Sequence, residues 1–380
     1  MNRIPALDLL RGLIMILMAI DHAGFFIAKV HRAEFWGIPL PQYDDAFTFF
    51  TRYVTHLCAP GFFYLMGAGM VLFAASRRAA GWPEGKIIKH FALRGFILVL
   101  MQQFLENPAW ILGVSTTTPA ALDFDMGAGG GGQIYLHLGV LNALGLAMIA
   151  GAFLLRWHRF LLAGIALAAI VTTQLVTPGA ESVEVLFHPL RRILFTPGQS
   201  GFLNDIYPLV PWLGVTILGM IFAQALLKDN EKAFRRLLLE GIGFLLLFVV
   251  LRFVGGFGNT HDYGGNGWMA FLNVIKYPPS IAFLLIMLGV NFLLLYLFHQ
   301  LKKLHSHSGN PLMVFGKTAL FFYISHLYLY MLIGLTIPDG LSITMMYPFW
   351  AAGLVVLYFL CRWYSNFKRN TSPDSIWRFF

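Results

Sequence analysis

The sequence is short of charge, short of acid and nearly without cysteine. Only 12% of its 380 residues are Asp, Glu, Lys or Arg, while 58% are hydrophobic. A soluble domain carries about 25% charged and about 45–50% apolar residues, so this deficit excludes an ordinary soluble enzyme and a disordered chain. The two cysteines, Cys58 and Cys361, lie far apart in apolar segments. They form neither a C-x-x-C pair nor a disulfide framework. From Asn107 to Gln133 there is no Lys or Arg at all. What fills the chain instead is aliphatic and aromatic, including 36 Phe, which suits a lipid-facing surface. The fold class is that of an all-α polytopic membrane protein.

A hydrocarbon core of ~30 Å needs about 20 mostly apolar helical residues per crossing. Ten runs meet this requirement, at 7–29, 47–74, 87–106, 134–155, 159–176, 206–227, 236–254, 281–300, 311–333 and 342–362. The first is too long for a signal peptide and no small-residue cleavage site follows it. With the N-terminus placed in the cytoplasm, all but seven of the 27 Lys and Arg fall on the cytoplasmic side or at inner helix ends. The seven on the far side are Lys29, Arg32, Arg52, Arg191, Arg192, Arg252 and Lys276. This asymmetry is the positive-inside rule at work. The net charge of +9 therefore reports topology, and no nucleic-acid partner is expected. An even number of spans puts both termini in the cytoplasm, with a short basic tail at 363–380. No linker divides the chain, so one domain spans 1–380, a multi-pass protein of a cell inner membrane.

Three local patterns carry little. Gly127, Gly129 and Gly132 formally satisfy G-x-G-x-x-G but follow no strand. Phe315-Gly-Lys-Thr318 resembles the end of a P-loop, yet Pro311 stands where its first glycine belongs. His305 and His307 form an H-x-H in a cytoplasmic loop, where solvation is the simpler account.

The first span is different. Ionisable groups inside a span cost roughly 2.5–3.5 kcal/mol at its centre and mark functional sites by default. Arg11 and His22 are eleven residues apart, close to three helical turns, so they point the same way about 16 Å apart along the axis. Met15 and Met18 lie between them, and Asp8 sits one turn below Arg11. The stripe has a cation near the inner mouth and an imidazole in the outer third, at a spacing comparable to the pantetheine arm of coenzyme A. Asp21 adjoins His22 but does not share its face, and is expected to meet a group on another helix. His56, His137 and His326 fall in the outer halves of their own helices, where structural or substrate-positioning roles are expected. Taken alone, the stripe is also compatible with Arg11 snorkelling to the interface and His22 bonding a neighbouring helix.

Leu7-Asp-Leu-Leu-Arg-Gly through Ala19-Ile-Asp-His22 resembles the opening helix of the heparan-alpha-glucosaminide N-acetyltransferase catalytic-domain family. Ala59-Pro-Gly-Phe-Phe-Tyr-Leu-Met-Gly67, Tyr207-Pro-Leu-Val-Pro-Trp-Leu-Gly214, Lys276-Tyr-Pro-Pro-Ser280 and Tyr323-Ile-Ser-His326 look like bacterial members of it. The Arg11-x10-His22 spacing is also similar to that of the broader membrane acyltransferase group that O-acylates bacterial surface sugars. The resemblance implies a transmembrane acyltransferase bundle using cytoplasmic acetyl-CoA or another acyl-CoA as donor, a sugar or glycan acceptor on the far side, and no metal. A homodimer is compatible with it. In the lysosomal branch the position of His22 is an asparagine and the catalytic histidine lies further on, with His31 its nearest counterpart here. His22 or His31 is thus the candidate base, with Asp21 beside it. Asp8, Arg11, His56, His137, Ser325 and His326 are candidate substrate-binding groups, and His326, Ser325 and His137 candidate oxyanion donors. Arg11, Arg77, Arg78 and Lys86 are the candidates for the coenzyme A phosphates. Trp36, Trp110 and Trp268 are read as interfacial anchors or, second to that, as sugar platforms.

Two other classes are open on the residues. A transporter or flippase would use broken helices, with Pro60-Gly61 as one break. A haem or metal protein would use His22, His56, His137 and His326 on facing helices.

Overall fold

The computed structural model describes residues 4–119, 123–124, 136–177, 189–261, 267–301, 309–372, 375 and 377. The glycine run at 127–132 and the His305/His307 pair lie outside the described residues. Every one of the ten apolar runs holds a helix. α1 (Pro5–Ala23) opens with proline where a missing N–H costs nothing, and a π-helical turn carries it on to Ala28. After β1 (Val30–His31) comes α2 (Ala46–Tyr53), whose start is capped by the Asp45 carboxylate accepting from Thr48 N at 2.9 Å. A 3-10 turn at Val54–Leu57 leads into α3 (Cys58–Ala79). Pro60 sits in the first turn of α3, where the helix tolerates it, so the expected break at Pro60-Gly61 is a helix start instead. α4 (Glu84–Met101) runs through a π-helical turn into α5 (Asn107–Ser115).

β2 (Asp123–Phe124) pairs in parallel with β1, and β3 (Leu136–Leu138) follows it. Then come α6 (Val140–Leu154), α7 (Arg159–Val176) and the short α8 (Pro189–Leu194). β4 (Gly198–Ser200) and β5 (Leu203–Asp205) complete a three-stranded sheet with β3, in the order β3-β5-β4. Membrane-length helices α9 (Leu209–Lys228) and α10 (Asn230–Val254) follow, then α11 (Trp268–Leu272) and α12 (Ile281–Gln300). The last three helices are α13 (Pro311–Lys317), α14 (Ala319–Leu335) and α15 (Ile343–Asn370).

Among the described residues, eight helical stretches are long and apolar enough to cross a membrane. The ninth run is one such stretch broken by 99° between α13 and α14. The fourth run is shorter than expected: α6 has 15 residues, because Leu136–Leu138 pairs with β5 and leaves the helix to begin after Gly139. In the other direction, α15 extends through Asn370, so the basic tail begins as helix. Large apolar side chains such as Phe104, Phe160, Leu239 and Phe253 are exposed on the outside, as a bilayer solvent requires.

Glycines draw the bundle tight at several backbone crossings, most closely at two of them. A Cβ on Gly12 would stand 2.0 Å from Leu312 O, and one on Gly316 1.9 Å from Asp8 O, so α1 and α13 touch main chain to main chain. Gly67 and Gly219 do the same for α3 and α9, each 1.9 Å from the opposing carbonyl oxygen, Thr216 O and Tyr64 O. Small residues permit this approach in membranes, where packing replaces the hydrophobic drive. Gly67→Val or Gly316→Val is expected to destabilise the protein by about 1–3 kcal/mol through overpacking. Thermal unfolding in detergent would read this as a lowered midpoint, with Gly69→Val, which meets open space, as the control.

Candidate active site

A cavity of about 380 Å³ runs inside the bundle against α1. Arg11, Arg94, Lys317 and Lys368 line it at the basic end of the bundle, where α1 begins. Met15, Met18, Met66, Met70 and Met148 line its shaft, and Asp21, His22, Tyr207, Lys276 and Tyr323 its opposite end. Arg11 and His22 therefore open onto one continuous space, as their helical spacing predicts. Arg11 is held at the mouth by Asp8 Oδ1 at 3.1 Å and by Gly316 O at 3.2 Å. The second contact places a cation at the C-terminus of α13, where the helix dipole favours it.

His22 is fixed by a second imidazole. Its Nδ1 lies 2.6 Å from Nε2 of His326, the rings stacked at 4.8 Å and 11°. His326 Nδ1 lies 3.0 Å from Phe322 O. A carbonyl can only accept, so His326 carries its proton on Nδ1 and offers a lone pair at Nε2. His22 must then donate from Nδ1, which leaves its own Nε2 unprotonated and without a protein partner among the described residues. The chain of bonds thus ends in a basic nitrogen on a side chain that faces the cavity. Trp110 packs edge-on against His22 at 4.9 Å, anchored by donation to Glu106 Oε1 at 3.3 Å. That tryptophan is buried and serves neither as an interfacial anchor nor as a cavity-lining platform. The facing nitrogens of His22 and His326 are too close to hold an ion between them, since each metal–nitrogen bond needs about 2.0 Å.

Asp21 meets a group on another helix, Arg52 of α2, at 2.5 Å. The same guanidinium grips Glu34 with both forks, Nε to Oε1 at 3.1 Å and Nη2 to Oε2 at 2.7 Å. Nε2 of His56 stands 3.0 Å from Glu34 Oε2. Burial alone would raise the Glu34 carboxyl, but Arg52 and His56 hold it well below the ordinary carboxylate value. Glu34 also accepts the backbone N–H groups of Lys276 and Tyr277 on its main-chain oxygen, at 2.9 and 3.0 Å. One buried residue thereby joins α1, α2, the loop after β1 and the loop before α12.

The remaining candidates fall elsewhere. His31 is half-buried on β1 beside Phe25 and does not line the cavity. Burial draws its pKa down to about 4, against the opposing pull of Asp21. His137 is buried in β3, its pKa likewise drawn to about 4 by burial, and it too stands away from the cavity. Ser325 is half-buried on α14, outside the lining. At the basic end Arg78 is bidentate to Glu84, at 2.9 and 2.7 Å. Arg77 and Lys86 cover the Trp82 ring at 5.0 and 4.3 Å. None of these three lines the cavity, whose cations at that end are Arg11, Arg94, Lys317 and Lys368. Helix-end position flags Arg94 and Lys317 as inner-side charges, but only the packing turns them inward. Tyr207, Lys276 and Tyr323 open stretches that carry the family resemblance, but nothing local to them, or to Arg52 and Glu34, shows which groups they meet, because those partners are distant in sequence.

Two measurements follow from this chemistry. Arg52→Met takes the guanidinium from buried Glu34 and part-buried Asp21 and is expected to cost about 3–5 kcal/mol, seen as a lowered unfolding midpoint in detergent. His31 and His137 bind their proton less readily folded than unfolded, so the unfolded chain takes up more protons below pH 6.5 and stability rises with pH. The midpoint is therefore expected to fall as pH drops from 6.5 towards 4, less steeply in His137→Phe.

No match to the chain is found among curated proteins. Residues 3–257, more than half of the chain, match the family model described as "Heparan-alpha-glucosaminide N-acetyltransferase, catalytic". That stretch carries Arg11, His22, Arg52 and Arg94, while His326, Lys276, Lys317 and Lys368 come from the helices and loops that follow it. On the strength of that match, and with a multi-span bundle around an internal cavity, the chain belongs to the heparan-alpha-glucosaminide N-acetyltransferase catalytic family.

Proposed function

We propose that this protein moves an acetyl or other acyl group from cytoplasmic acyl-CoA to a hydroxyl or amine of a sugar-like acceptor on the far side of a bacterial inner membrane. The observation that carries this reading is the single cavity with cations at one end and an unprotonated imidazole nitrogen at the other. Arg94, Lys317 and Lys368, with Arg11, would receive the phosphates of the nucleotide end through charge-assisted hydrogen bonds. The pantetheine arm would follow the methionine shaft, whose flexible thioethers adapt to a thin chain, and present the thioester near His22.

There the acceptor's lone pair forms a bond to the carbonyl carbon while His22 Nε2, as general base, takes its proton. The tetrahedral intermediate collapses, the C–S bond breaks, and the leaving thiolate takes that proton from the imidazolium. His326 acts as the positioning group. It holds the His22 tautomer with Nε2 free, donating from Nδ1 to Phe322 O and accepting from His22 at Nε2. His31, off the cavity, takes no part in this scheme.

The test is thioester loss from acetyl-CoA by detergent-purified protein, with glucosamine or hydroxylamine as acceptor. His22→Ala is expected to lower kcat about 10²–10⁴-fold, the range of a lost general base, and His326→Phe by less. His31→Ala is expected to stay within a factor of about three. Wild-type turnover by His22→Ala would refute the scheme. Arg94→Gln with Lys317→Gln is expected to raise the KM for acetyl-CoA about tenfold or more, as lost charge-assisted bonds should, while leaving kcat nearly unchanged.

A further inference from the structure

None of the three oxyanion donors that the sequence offered is available to the developing charge on the carbonyl oxygen, since His137 and Ser325 lie off the cavity and both His326 nitrogens are engaged. The cavity wall holds one cation at this end. Lys276 is only 4% exposed, yet it lines the cavity together with Asp21, His22 and Tyr207. No carboxylate takes its ammonium among the described residues. The Tyr277 ring lies 4.9 Å from its Nζ. The two acids nearest in the network, Asp21 and Glu34, are both held by Arg52.

Its position is built rather than incidental. The backbone N–H groups of Lys276 and Tyr277 both donate to Glu34 O, and Trp36 N donates to Tyr277 O at 2.9 Å. The segment is thus stitched to the loop after β1, which the Arg52 clamp ties to α1 beside His22. Two carboxylates, Arg52 and Lys276 sum to zero charge, so the lysine can be carried in a buried region while its N–H donors stay unused. Burying an ammonium without such balance would be costly.

We propose that Lys276 is a catalytic residue: its ammonium binds the oxyanion of the tetrahedral intermediate that forms opposite His22. The assignment rests on the acyl-transfer reading. As the acceptor attacks, the carbonyl π pair moves to oxygen and the acceptor's proton moves to His22 Nε2. Imidazolium and oxyanion appear together, so the chamber's total charge does not change. Donors fixed in place before reaction are the strongest form of such stabilisation in a water-poor site. Collapse restores the carbonyl, expels the thiolate and frees Lys276 for the next turnover.

The experiment compares wild type, Lys276→Met and Lys276→Arg in acetyl-CoA thioester cleavage, with hydroxylamine as acceptor and with water alone. Neither acceptor carries an anionic group, so a lysine that merely held an acidic acceptor would not be felt. Lys276→Met is expected to lose about 10²–10³-fold in kcat with both acceptors, with KM for acetyl-CoA and coenzyme A binding by calorimetry nearly unchanged. Lys276→Arg, which keeps charge and stem, is expected to recover at least tenfold of that loss. Should Lys276→Met fold poorly, the Arg variant against Lys276→Gln at matched melting midpoint gives the same reading. An unaltered kcat in a turning-over background overturns the assignment and leaves acyl transfer standing. Wild-type protein that binds acetyl-CoA yet cleaves no thioester overturns both.

Discussion

Everything at the far end of this bundle depends on one guanidinium. Arg52 is buried between Asp21 at 2.5 Å and Glu34 at 2.7 Å, in a region where each unpaired ion would cost several kcal/mol. That cost makes the arrangement all or none. Asp21 fixes the last full turn of α1, and with it His22; Glu34 fixes the loop after β1 and, through its main-chain oxygen, the backbone of Lys276. The pair of imidazoles can then be held to a single tautomer because the frame around them does not shift.

The same economy governs the chemistry. A lone histidine in an apolar setting can carry its proton on either nitrogen, so a share of such molecules would present the wrong one. Here a carbonyl in the first turn of α14, that of Phe322, decides for both rings, through His326 and then His22. The Ser-His-Asp triad uses a carboxylate for the same orienting task. A second neutral imidazole orients equally well without adding a buried negative charge, at the expense of stabilising the imidazolium less.

The sequence made the fold class and the Arg11–His22 stripe legible, because both rest on local regularities: span length and a helical period of 3.6. The ten helices were found for that reason, and Arg11 and His22 do share a cavity wall. Hydropathy is blind to backbone breaks, however, so it ran the fourth span through the β3 strand and missed the 99° turn after Lys317. Proline at 60 looked like a break but sits where a helix starts. Sequence also placed four histidines at similar depth without distinguishing them. Only packing separates His326, bonded to His22, from His56 on Glu34 and His137 in a strand. Arg52 and Lys276 entered the reading as far-side exceptions to the charge rule. Their partners lie 31 and 242 residues away, a separation no periodicity can bridge.

Where α1 crosses α13, and α3 crosses α9, peptide planes rest directly on one another with no side chain between. The gauge of the tunnel is therefore set by the polypeptide itself, and its inner upholstery can be exchanged without widening or narrowing the frame. Exchanging methionine, leucine or phenylalanine along the bore therefore alters its free volume while α1, which carries Arg11 and His22, keeps its spacing from α13.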